Sequence, residues 1–130
     1  MEIKVTTNIN INDDDIEDIL ESAFIDRVMW SGYCEKDIPD GEKWLDDYYS
    51  KHIVKGGKLL MLDIEDGEEY ILDRETILRG IGKAYQENGG TFHEWNISFV
   101  WVENNKIVNM DSWLADTIIQ YGVFGEVIYG

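Results

Sequence analysis

The sequence predicts an α+β fold, a single compact domain over residues 1–130 with a mainly antiparallel sheet and about four helices. Two observations predict it. Short runs alternate apolar and polar residues and are joined by turn dipeptides, the pattern of local hairpins. Between those runs apolar residues recur at helical spacing behind capping residues, and neighbouring hairpins interleaved with helices favour a largely antiparallel sheet.

In chain order, IKVTTNINI (3–11) places Ile3, Val5, Ile9 and Ile11 on odd positions and predicts a first strand. Asn12 can cap the helix that follows, because its side chain accepts from amides without an intrahelical partner, and Asp13, Asp14 and Asp15 complement the positive dipole end. Ile16, Ile19, Leu20, Ala23 and Phe24 form that helix's apolar stripe. RVMWSGYCEKDIPDG (27–41) is interrupted by Ser31 and Gly32, and predicts a turn into a short strand ended at Pro39-Asp40-Gly41. A second helix is predicted in GEKWLDDYYSKHIVKGG, stopped by Gly56-Gly57 with Lys51 and Lys55 at its negative end. KLLMLDIEDGEEYILD predicts a hairpin around Asp66-Gly67. Asp73 caps a third helix, in which Ile77, Leu78, Ile81, Ala84 and Tyr85 share a face, Gly89-Gly90 ends the run, and Gly80 and Gly82 allow another backbone to approach. TFHEW reads as a loop, ISFVWVENNKIVNM as a hairpin turning at Asn104-Asn105, and DSWLADTIIQYGVF as a last helix opened by Asp111 or Ser112.

Charge narrows function. Against 11 basic residues stand 27 acidic ones, a net of −16, so binding of DNA, RNA or an anionic membrane surface by bulk electrostatics is excluded. The acids are spread over several segments, as on a folded, solvated surface, and the same distribution can imitate a phosphate backbone. Twelve percent aromatic residues with five tryptophans exclude disorder. Cys34 is the single cysteine and the N-terminus has no secretory pattern, which predicts a reducing, intracellular setting.

No catalytic constellation stands out. His52 reads as a helix-end residue and His93 as a loop residue, and no phosphate-binding loop, nucleophile elbow or zinc motif is present. The expectation is a protein that is not an enzyme and needs no cofactor or metal. Recognition then falls to aromatic rings and the few cations. Arg27, Arg74 and Arg79 with Lys51, Lys55 and Lys58 can build a local positive pocket on a negative protein, and Trp30, Tyr33, Trp95 and Trp101 are candidates to stack on a base, core burial being the ordinary role of such residues.

DIEDILESAF (15–24), WSGYC (30–34), KGGKL (55–59) and the closing ADTIIQYGVFGEVIYG (115–130) resemble the motifs of a family of small phage and prophage anti-defence proteins, the Thoeris anti-defence nucleotide sponges. The likeness spans most of the chain except about residues 90–110, an extra hairpin here. Phe24-Ile25-Asp26 replaces expected glycines, and Lys55 an expected arginine. The resemblance implies sequestration, without degradation, of a cyclic ADP-ribose type signal in the host bacterial cytoplasm. It implies a homo-oligomer holding its ligand with Arg27, Trp30, Lys55, Gly56, Gly57 and Arg79, and joined through Tyr121, Phe124, Val127 and Tyr129. The rival reading is an acidic DNA mimic or protein-binding inhibitor of a host nuclease, the partner then being a host defence protein; a virion accessory role is a third.

Overall fold

Within the computed structural model, residues 8–23, 31–34, 48–63, 65, 67–94 and 96–129 are described. They form α1 (Asp13–Ala23), β1 (Ser31–Cys34), α2 (Tyr48–Val54), β2 (Leu59–Asp63), β3 (Glu69–Leu72), α3 (Arg74–Asn88), β4 (Thr91–Glu94), β5 (Ile97–Val100), β6 (Val102–Glu103), β7 (Lys106–Ile107) and α4 (Ser112–Phe124). The α+β class is as the sequence predicts. Among the described residues the strands make three separate antiparallel sheets, β1-β2-β3, β4-β5 and β6-β7.

The helix starts follow from side-chain chemistry. Asn12 Oδ1 accepts from the Asp15 amide at 2.9 Å while Asp15 Oδ2 accepts from the Asn12 amide at 3.0 Å, a reciprocal box that satisfies two amides at once. Asp73 accepts from the Thr76 amide to open α3, and Asp111 from the Leu114 amide to open α4. Residues 8–11, the described part of the predicted first strand, form no ladder among the described residues and share one backbone bond with the β6-β7 turn, Asn10 N–H to Asn105 O at 2.8 Å. Ile3 and Val5 lie outside the described residues, as do Phe24 and the predicted turn at Pro39-Asp40-Gly41.

In the first hairpin β2 pairs with β3 from Leu59↔Leu72 to Leu62↔Glu69, and Gly67, at φ +72°, closes the turn by donating to the Asp63 carbonyl at 2.9 Å. The second half differs from the prediction. TFHE is a strand, not a loop: β4 pairs with β5 from Thr91↔Val100 to Glu94↔Ile97, which puts His93 on a strand with Nδ1 3.1 Å from Ser98 Oγ. Asn104 and Asn105, both at positive φ, turn β6 into β7. The single long hairpin expected over 97–110 is thus split at Trp101. That residue is fully buried, its amide donates to Gly90 O at 3.0 Å, and its indole N–H donates to Gly89 O at 2.8 Å.

The core joins Ile16, Ile19 and Leu20 of α1, Ile53 of α2, Leu59 and Met61 of β2, Leu72, Ile77, Trp101, and Leu114, Ile118 and Ile119 of α4. Each such aliphatic side chain contributes about 1.5–3 kcal/mol by leaving water. Helix α4 is the hub, packed on both α3 and α1. At two points its seam with α3 is backbone against backbone. A Cβ on Gly80 would overlap the Ile118 carbonyl oxygen, and one on Gly122 the Thr76 carbonyl oxygen, whereas Gly82 faces open space.

Beyond α4 the chain turns at Gly125, left-handed at φ +80°, and folds back without forming a strand. The buried Gln120 does the work of a strand edge. Its Oε1 accepts from the amides of Ile128 (3.0 Å) and Tyr129 (2.9 Å), and its Nε2 donates to Tyr129 O (3.0 Å) and Asp116 Oδ2 (2.9 Å). The Tyr129 hydroxyl then lies 2.9 and 2.8 Å from the two carboxylate oxygens of Asp63, which is itself fully buried. A buried carboxylate needs such partners, and Asp63 also accepts from the Glu65 amide at 2.9 Å.

Candidate functional site

Where β3, α3 and the end of α4 meet, a cleft of about 420 Å³ is lined by Lys58, Tyr70, Arg79 and Val123 together with the acids Glu69, Asp73 and Glu75. Its shape has local causes. Arg79 stands on α3 and points at the end of α4, where its Nε and one terminal nitrogen donate to Gly122 O at 3.2 and 3.0 Å. This places a cation at the negative end of the α4 dipole and leaves further guanidinium N–H groups on the cleft side. Tyr70 is held edge-on by Phe124, with ring centroids 5.0 Å apart. Lys58 enters from the start of β2, directly after the Gly56-Gly57 stop.

The residues chosen from the sequence are distributed as follows. Arg27 and Trp30 lie outside the described residues. Lys55 is exposed just past α2. The amides of Gly56 and Gly57 donate to Ile53 O (2.9 Å) and His52 O (2.8 Å), so the step KGG closes α2. Gly56 has the positive φ of +98° that such a stop requires. Arg79 and Lys58 both line the cleft, beside the three acids. Arg74 is engaged elsewhere, pairing with Asp13 and donating to Val54 O at 3.2 Å, which ties α1, α2 and α3 together. Trp101 is core.

Tyr70, Glu69 and Glu75 belong to the cleft and were not singled out from the sequence. Tyr70, between Glu69 and Ile71 in an alternating strand, gives no sign of which neighbour its ring meets. The four terminal residues divide. Tyr121 hydrogen-bonds Asn88 Nδ2 at 3.0 Å, Phe124 packs on Tyr70 and Tyr129, and Tyr129 is tied to Gln120 and Asp63. Val127 is 42% exposed, and Ile128 beside it 47%.

Electrostatically the lining carries two cations and three carboxylates, so bare phosphate is poorly matched. The Asp73 carboxylate is partly committed, accepting from the Thr76 amide and hydroxyl at 2.9 Å each. Among the described residues no group of three or more His, Cys, Asp or Glu is placed to hold a metal ion, and no helix is long and apolar enough to cross a membrane. No family model, curated protein or solved structure matches the chain.

Proposed function

We propose that the protein is a phage-encoded anti-defence factor that binds a cyclic nucleotide signal of the cyclic ADP-ribose type and withholds it without degrading it. The observation that carries this reading is the cleft. Lys58 and Arg79 offer charge-assisted donors to phosphate, Tyr70 offers an aromatic face, and Glu69 and Glu75 offer acceptors for ribose hydroxyls. A ligand bearing all three chemistries matches this lining better than any one of them alone. The likeness of KGGKL and ADTIIQYGVFGEVIYG to the sponge family points the same way, and Val127 with Ile128 is the apolar surface on which a homo-oligomer would build.

The second reading, an acidic inhibitor of a host nuclease, has its own observation in exposed Asp13, Asp14, Glu65, Glu68 and Glu69 on a chain of net charge −16. The test is release of ligand. Purified protein incubated with cyclic ADP-ribose isomers, washed and heat-denatured yields intact nucleotide, and Lys58→Glu lowers the yield at least about tenfold. Empty supernatants from the wild-type protein end the sequestration reading.

A further inference from the structure

At the other end of α4, roughly 15 Å from the cleft at 1.5 Å per helical residue, the β4-β5 hairpin builds a second concavity. Strand alternation puts Phe92 and Glu94 on one face of β4, and the antiparallel register sets Phe99 and Ile97 opposite them. Trp113, in the first turn of α4, closes the space, its ring 5.1 Å from Phe92 and 5.8 Å from Phe99, both edge-on. With Asp111 these residues line a notch of about 270 Å³. Its walls are aromatic and its polar groups are two carboxylates, both on exposed residues; among the described residues the lining holds no cation. Ile97, 68% exposed, and Trp113, 43% exposed, leave apolar surface uncovered at the rim.

Aromatic faces attract cations through the ring quadrupole, and carboxylates at the rim add the complementary charge. We infer that this notch is a docking site for a basic segment of a protein partner, taking one arginine or lysine side chain along the exposed surface of Trp113 and Ile97 with its charge against Glu94 and Asp111. The volume suits a single side chain. The exposed Ile97 gives the flanking residues of such a segment an apolar contact that a free small cation would leave unused, and the −16 charge of the whole chain speeds encounter with a basic surface. The inference is independent of the nucleotide reading.

The test titrates the intact protein with a short arginine-rich peptide and follows the Trp113 indole N–H and Ile97 methyl signals by NMR. Free arginine and tetramethylammonium are the comparison ligands. Glu94→Gln with Asp111→Asn removes both charges and keeps the α4 cap, since asparagine caps as well as aspartate. Glu65→Gln with Glu126→Gln removes two charges elsewhere. The peptide is expected to move the notch signals, to bind the Glu94/Asp111 variant at least about tenfold more weakly, and to bind the control variant within about twofold of wild type. Equal losses in both variants, shifts confined to other surfaces, no binding, or free arginine binding as tightly as the peptide would each overturn the inference.

Discussion

The α3-α4 seam and the β4-β5 hairpin are built on opposite principles. At the seam two helices close on each other at Gly80 and Gly122, each setting a bare Cα against a carbonyl oxygen of the other helix, so at those two points no glycine side chain exists to turn aside. The hairpin stands on Phe92 and leaves Ile97 and Val100 in solvent. Side chains that are absent hold the first region, and side chains that remain uncovered characterise the second. Interiors are close-packed and intolerant of added volume, whereas exposed strands absorb substitution.

The largest expected effect is at the seam. Gly122→Ala should cost about 3 kcal/mol or more in urea unfolding, because its Cβ meets a carbonyl oxygen of a packed helix. Gly82→Ala, in the same pair of helices but facing open space, should instead stabilise by about 0.5–1 kcal/mol. Next comes the tail. Gln120→Ala removes four hydrogen bonds and should cost about 2–3 kcal/mol while speeding hydrogen exchange at Ile128 and Tyr129. Tyr129→Phe, which takes one hydroxyl from Asp63, should cost about 1.5 kcal/mol by thermal unfolding. Smallest is Ile97→Ser, expected within about 0.5 kcal/mol of wild type. Were Ile97→Ser to rival Gly122→Ala, the contrast between the two regions would be lost.

What the sequence made legible was local. Asn12, Asp73 and Asp111 stand where helices must begin, and Gly67 and Asn104-Asn105 where chains must reverse. Those choices need only a few neighbouring residues. The β4 strand escaped because its turn, at Asn96, lacks the glycine that marks the first hairpin, and the alternation of Ile97, Phe99 and Trp101 ran on past the point where Trp101 leaves the ladder for the core. Gln120 looked like one polar residue in an apolar helix, since nothing nearby in sequence shows that it receives a returning chain. Of the chosen binding residues, Arg79 lines the cleft, as does Lys58. That Arg79 also fastens Gly122 O is a tertiary fact. The tail's apolar character required burial, and the aromatic part of that burial falls on Tyr70 and on its own Phe124.

The glycine seam has a bearing on communication across the molecule. Sliding α4 along α3 by one position would carry a side-chain-bearing residue into a gap that admits none, so the two helices share a fixed register with no second resting place. Coupling between distant sites needs an element with two arrangements to choose from. Helix α4 spans from the notch at Trp113 to the cleft at Val123, and along that line the seam offers one arrangement only. Ligands at its two ends should therefore bind additively, each with the same affinity whether the other is present or not.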